Sequence, residues 1–316
     1  MSVATHASLR RDSLAGILYL SAGIAVFSVQ DLILKLLSGE YPLHQAMFIR
    51  SITALPLLYL LVLREGGART LASPNWPAML LRGVILFAAY TSYYLALAAL
   101  PMATTVALYF AAPLFITVLS VFFLGEKVGP RRWLAVFAGF AGVLILVRPG
   151  SALFDWAALL PVIAGLTYAI GMVIARRLGG RETAAAMAFH GNAVFLAGAI
   201  ALSLAFGSGA FANEEHKSLG FLLRGWVMPS AFDLSLMALC GVIAAAGSTL
   251  LTQAYRVAEA NVVAPFEYTG LVWSVAFGWV FWRDWPDPVA WAGVAIIVAA
   301  GLYVLYSERQ AQPERG

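Results

Sequence analysis

Apolar runs of about 20 residues, separated by short clusters of charge, constrain this chain more than any other feature. Helical residues rise about 1.5 Å each, so roughly 20 of them cross the roughly 30 Å hydrocarbon core of a bilayer. With no water there, every backbone N–H and C=O in a run must find its partner internally, which makes the runs helices. Ten fit the sequence, at about 15–37, 44–63, 79–100, 103–124, 132–149, 155–176, 183–206, 233–255, 260–282 and 287–306. The chain is 61% hydrophobic and 11% charged, whereas a soluble protein carries about 25% charge. A typical cytosolic enzyme, a disordered tail and a disulfide-stapled secreted domain are therefore excluded. The sole cysteine, Cys240, lies in an apolar run and cannot form an intrachain disulfide. The first run is too long for the apolar part of a signal peptide and reads as a retained span.

An even number of spans puts both termini on one side, and the basic residues choose it. Arg10, Arg11, Arg64, Arg69, Arg82, Arg131, Arg176 and their neighbours fall on the side of the N-terminus, and outnumber Lys35, Arg148, Lys217, Arg224 and Arg283 on the other. The sequence thus predicts cytoplasmic termini in the cell's inner membrane. Its pI near 9.3 reflects those loops; the charges form no stripe that would bind nucleic acid. Ala46, Met47 and Arg50 superimpose on Ala186, Met187 and His190 under one shift, and Ala96, Glu126 and Trp133 on Ala254, Asp284 and Trp291 under another. Both lay the first five spans over the last five. Five is odd, so the halves, 1–150 and 151–316, must be inverted relative to each other. The fold class expected is an all-α polytopic membrane protein of ten transmembrane helices in two inverted five-helix repeats, with its site between the repeats. Small residues spaced by four, such as Gly165 with Ala169, Ala138 with Gly142 and Gly241 with Ala245, read as close helix crossings.

Ionisable groups inside lipid are costly, and each needs a partner or a use. Asp31 and Arg50 stand about equally far from the turn near Glu40 and Tyr41, hence at one depth; they predict an ion pair, direct or bridged by water or substrate. Lys35 reads as a snorkelling span-end lysine. His190 and Glu267 form a second level pair, nearer the cytoplasm, with Glu267 a candidate proton-coupling group. Mid-depth aromatics supply the other signal. Tyr90, Tyr94, Tyr109, Tyr168 and Tyr268, with Gln253, are candidate substrate-binding residues, because buried hydroxyls need partners and flat solutes stack on rings. Asn192 and Asn261 add hydrogen-bonding groups, and Pro113 and Pro265 break helices beside the site. No Walker A, HExxH, GxSxG or metal-spaced cluster is present, so neither enzyme chemistry, nor a cofactor, nor ATP-driven pumping is expected.

The stretch ALYFAAPLFITVLSVFFLGEKVGPRRWLAVFAGFAGVLILV (107–147), its counterpart AYRVAEANVVAPFEYTGLVWSVAFGWVFWRDWPDPVAWAGVAIIVAAGLYV (254–304) and QDLILKLLSGEYPLHQAMFIRS with Asp31, Lys35 and Arg50 resemble the EamA-type carriers of the drug/metabolite transporter superfamily. The resemblance implies a ten-helix inverted-repeat carrier whose spans 3, 4, 8 and 9 line a central cavity, with spans 5 and 10 outside it and available to a homodimer. It also implies a small-molecule substrate moved by alternating access. The aromatic lining points to a flat heteroaromatic solute, riboflavin-like or nucleoside-like. An amino-acid or drug exporter of the same fold is the alternative, and a channel or membrane-embedded enzyme the alternative from another class.

Overall fold

The computed structural model describes residues 3–125, 128–151, 154–178, 182–212, 215–257 and 264–311. Their regular structure is helical throughout. The first half holds α1 (Val3–Leu37), α2 (Leu43–Arg64), α3 (Trp76–Ala99), α4 (Met102–Tyr109), α5 (Ala112–Leu124) and α6 (Pro130–Val147). The second holds α7 (Leu159–Leu178), α8 (Ala184–Phe206), α9 (Lys217–Leu223), α10 (Ala231–Val257), α11 (Thr269–Phe277) and α12 (Pro288–Ala311). Among the described residues, seven segments are long and apolar enough to cross a bilayer, and α6 and α12 carry shorter apolar stretches. Large apolar side chains face outward, among them Phe122, Leu134 and Leu204 at 73, 71 and 84% exposure. Water would penalise that surface, and lipid suits it.

The fourth apolar run is two helices, not one. Pro113 has no N–H, and its ring excludes a bond to the Tyr109 carbonyl, so α4 ends at Tyr109, capped by Phe110, and α5 restarts at Ala112 with the proline in its first turn. The ninth run is broken too: Ala264–Tyr268, which contains Pro265, winds as a 3₁₀ turn before α11, and Gly278–Trp282 as a π turn after it. Asn261, at the start of that run, lies outside the described residues.

Helix α1 packs on α10, α2 on α8 and α10, α3 on α7 and α8, α5 on α7, α4 on α11, and α6 on α12. The central core gathers Leu34, Met47, Leu97, Phe221 and Met237. The glycines read as crossing points are crossing points. A Cβ at Gly241 would stand 2.5 Å from the Arg50 carbonyl oxygen, one at Gly142 3.0 Å from that of Gly293, and one at Gly165 3.2 Å from that of Tyr109.

One end of the bundle is cross-tied by polar contacts, above all through residues 215–230. From the sequence, 207–232 reads as an outside loop with a short interfacial piece. Instead α9 is docked inside the bundle, with Phe221 1% exposed and the Ser218 hydroxyl donating to the Leu95 carbonyl at 2.7 Å. Gln45 and Val227 exchange two hydrogen bonds, at 2.7 and 3.1 Å, and the Trp226 indole donates towards His44 and Ser203 at 3.1 Å. At the same end His216 meets Asp155 at 3.1 Å, and Arg148 pairs with Asp287. At the opposite end Glu182 accepts from Ser73 and Asn75, and Glu65 caps α8 at the Ala185 N–H.

Candidate functional site

Four helices meet around the first pair of candidate residues. The Arg50 Nε on α2 donates to the Gln30 side-chain oxygen on α1 at 3.1 Å, and the Gln30 amide donates to the Tyr94 hydroxyl on α3 at 2.5 Å. Asp31, the next residue on α1, accepts from the Tyr93 hydroxyl at 2.8 Å. Among the described residues no ion pair joins Asp31 to Arg50. They are electrostatic neighbours held by separate neutral partners, Arg50 by Gln30, which bonds Tyr94, and Asp31 by Tyr93, so the direct pair is not formed among the described residues. The Arg50 guanidinium lies 5.5 Å from the ring centroid of Phe195 on α8, a cation–π contact that offsets part of the burial cost. Its terminal nitrogens make no hydrogen bond among the described residues. Cys240, fully buried and free on α10, lies in the same core and within electrostatic range of Asp31 and Arg50.

The tyrosines continue from this network. Tyr93 meets Tyr94 and Tyr109 edge-on at 5.5 and 5.3 Å, Tyr109 meets Tyr168 at 5.6 Å, and Tyr90 meets Phe195 at 5.4 Å. Gly165 is what lets α7 bring Tyr168 close, because its missing Cβ leaves room for the α4–α5 break. The hydroxyls of Tyr90, Tyr109 and Tyr168 make no hydrogen bond among the described residues, unlike those of Tyr93 and Tyr94. Three hydroxyls, on α3, α4 and α7, are therefore uncommitted among the described residues.

Other candidates are placed differently. The Tyr268 ring packs edge-on against Phe110 at 4.8 Å, and its hydroxyl lodges where a Cβ on Gly301 of α12 would collide with it, so Tyr268 faces α12 and not the tyrosine ladder. His190 donates from Nδ1 to the Ala186 carbonyl one turn back, 2.9 Å away, on a helix packed against α2 and α3. The Glu267 turn packs against α1 and α12, within electrostatic range of Tyr109 and Tyr168. The two are at different helix interfaces and form no pair among the described residues. The Gln253 side chain lies outside the described residues. Asn192 donates to the Ser51 carbonyl at 2.9 Å, a helix-to-helix tie beside Arg50. Lys35 is no free snorkelling lysine: its ammonium donates to the Leu97 and Leu100 carbonyls at 2.8 and 2.6 Å, at the end of α3, and lies 5.1 Å from the Trp282 ring.

Two site residues escape the sequence reading. Gln30 bridges Arg50 to Tyr94, and its only signal is an amide beside Asp31 in an apolar run. Arg82 counts in the sequence as a cytoplasmic loop charge, yet it stands on α3 inside a spanning segment, with Tyr168 and Tyr90 as its ionisable neighbours.

The model of the EamA-like transporter family matches residues 14–148 and again 155–306. The chain belongs to the EamA-like transporter family. Among curated relatives, a riboflavin transporter of Rhizobium johnstonii is 33% identical over 68% of this chain and 66% of its own length. An S-adenosylmethionine uptake transporter of Rickettsia prowazekii is 26% identical over 96% of both chains. A pseudopaline exporter of Pseudomonas aeruginosa is 28% identical over 90% of this chain and 94% of its own. One crystal structure superimposes with a TM-score of 0.61 at 19% identity, covering 96% of this chain and 99% of the other, and shares the fold. This EamA-like protein is thus a multi-pass membrane transporter of small metabolites and not an enzyme.

Proposed function

We propose that this transporter is a secondary carrier that moves a flat, partly polar organic solute by alternating access. The observation carrying the reading is the row of uncommitted hydroxyls on Tyr90, Tyr109 and Tyr168, beside the free terminal nitrogens of Arg50. Rings offer stacking surface, and idle hydroxyls in a low-dielectric interior are worth satisfying with a ligand. Relatives named for riboflavin and S-adenosylmethionine support a heteroaromatic body.

Ten spans in two inverted halves is the architecture this carrier uses, with both termini in the cytoplasm. Its support is the pairing of helices. With α4–α5 taken as the fourth span and 264–282 as the ninth, spans one and eight pair, as do three and six, two and seven, five and ten, and four and nine. Exchanging the halves leaves that list unchanged. Phe110 and Tyr268, equivalent under the repeat, touch each other at the two breaks. Lipid covers the outward Leu134, Phe137 and Leu144 of α6, the face a homodimer through spans five and ten would share.

Counterflow in proteoliposomes tests the reading, with riboflavin and S-adenosylmethionine as labelled probes. A carrier gives saturable, trans-stimulated uptake. Linear flux without trans-stimulation would mean a channel, and altered product an enzyme. Glu267 is the assigned coupling group, and Glu267→Gln is expected to abolish net flux driven by a proton gradient while sparing exchange. Normal net flux in that variant removes Glu267 from the mechanism. Terminal tags reporting on opposite faces would end the ten-span scheme.

A further inference from the structure

The site holds a second guanidinium that the transport reading has not used. Arg82 sits six residues into α3, on a helix wedged between α7 and α8. Its Nε is shut off from solvent and has no hydrogen-bond partner, and no ion pair or hydrogen bond to Arg82 occurs among the described residues. Among the described residues its ionisable neighbours are the phenols of Tyr168 and Tyr90. An arginine that merely sets topology extends its whole head group into interfacial water. A guanidinium with a desolvated, unpaired donor instead costs about 1–3 kcal/mol or more, and such a residue inside a span marks a binding function.

Arg82 and Tyr93 are separated by eleven residues, close to three turns, so they lie on nearly the same face of α3, about 16 Å apart. Arg50 joins the Tyr93–Tyr94 end through Gln30. The two arginines thus bracket Tyr90, and both act on it. Each has donors left over, and guanidinium donors match the paired oxygens of a carboxylate or a phosphate. We propose that Arg82 is an oxyanion-binding residue at the far end of the tyrosine ladder, and that the transported solutes carry a carboxylate or phosphate on a flat body. The solute's anionic group lies at Arg82 when its ring lies on Tyr90, Tyr109 and Tyr168. This deepens the carrier reading and rests on it for the solute, while the oxyanion site itself is testable without flux.

Phenylglyoxal, which reacts with accessible, unpaired guanidinium groups, is the first probe, applied to the full chain in detergent and read by peptide mass spectrometry. Arg82 should label faster than Arg148, which is paired with Asp287. Phenyl phosphate or benzoate should slow labelling about tenfold, and uncharged benzyl alcohol should not. Equal protection by benzyl alcohol, or none by either anion, overturns the proposal. Protection by phosphatidylglycerol as strong as by phenyl phosphate makes Arg82 a headgroup site and overturns it as well. The second arm compares riboflavin with riboflavin 5′-phosphate, and S-adenosylmethionine with its methyl ester, by thermal shift and counterflow. The anionic member of a pair should bind about tenfold tighter, and Arg82→Lys, which keeps the charge and removes the fork, should lose most of that preference. Protein that elutes as wild type and retains the preference in Arg82→Lys argues against the assignment. Binding without anionic preference sinks this inference alone. Oxyanion protection without counterflow by any probe sinks the carrier reading and leaves the site.

Discussion

Tyr93 and Tyr90 lie three residues apart on one helix and have opposite roles, which makes them a paired test at the level of single side chains. The Tyr93 hydroxyl is the hydrogen-bond donor to a part-buried carboxylate oxygen of Asp31, whereas the Tyr90 hydroxyl is uncommitted. Tyr93→Phe leaves that oxygen without a donor and should cost about 1–3 kcal/mol, seen as a lower melting temperature in detergent. Tyr90→Phe should leave the melting temperature unchanged and weaken solute binding. Equal melting temperatures for the two variants would contradict the assignment of roles. Outside the spans, the Arg148 guanidinium holds the Asp287 carboxyl below its usual 3.8, helped by the Ala290 N–H that Asp287 caps. A depressed folded pKa stabilises above the unfolded value and is lost as pH falls through the folded one. Asp287→Asn should therefore flatten the fall in melting temperature below about pH 4 and do little at pH 7, the exposed pair being weak. The sequence brings Asp31 and Arg50 to one level correctly, since equal distance from a hairpin turn is a property of helix rise. It cannot show that Gln30 takes up Arg50 while Tyr93 takes up Asp31, because rotamers decide that. Arg82 is hidden for a different reason: near a span end, an arginine with a buried Nε and one extended into the loop look the same in sequence.

At the level of helices, two interruptions and one crossing shape the site. The sequence marks both interruptions with Pro113 and Pro265, and the breaks occur there because proline supplies no donor. What it leaves open is where the freed backbone goes, and the answer is α7: Gly165 admits the Tyr109 carbonyl and the Ala112 N–H at 3.2 and 3.3 Å from where its Cβ would be. The crossing of α2 and α10 is tighter still. A methyl group at Gly241 would meet the Arg50 carbonyl oxygen at 2.5 Å, the Thr53 Cβ at 2.7 Å and the Ala54 nitrogen at 3.0 Å, all of them rigid. Gly241→Ala must push the helices apart at the turn that carries Arg50, at a cost of about 1–3 kcal/mol. The expected result is folded protein with a lower melting temperature and impaired solute binding, because the Arg50–Gln30 bond stretches with the crossing. Gly39, where an added Cβ meets nothing within 4 Å, is the control position: Gly39→Ala should bind as wild type.

For the whole molecule, the asymmetry between its ends has a functional consequence. At one end α1, α2, α3 and α8 are tied by Lys35, His44, Gln45, Ser203, Ser218 and Trp226. Opening that end, as alternating access demands, requires the 215–230 segment to let go of α2 and α8. Each such bond contributes about 1 kcal/mol net, so removing several shifts a two-state balance by tens-fold in population. Gln45→Ala combined with Trp226→Phe deletes the reciprocal Gln45–Val227 bonds and the indole bond without touching the tyrosine ladder. Cys240 reports the outcome, being the only cysteine in the chain, fully buried, and in the core beside Asp31 and Arg50. In the double variant a membrane-impermeant maleimide should reach Cys240 from the tied side roughly ten times faster than in wild type, since labelling tracks the open fraction. A solute that stacks on the ladder should slow it again by favouring the closed state. Unchanged labelling in a variant that still binds solute would mean that the 215–230 segment only decorates this end, and that the gate is formed by the helices themselves.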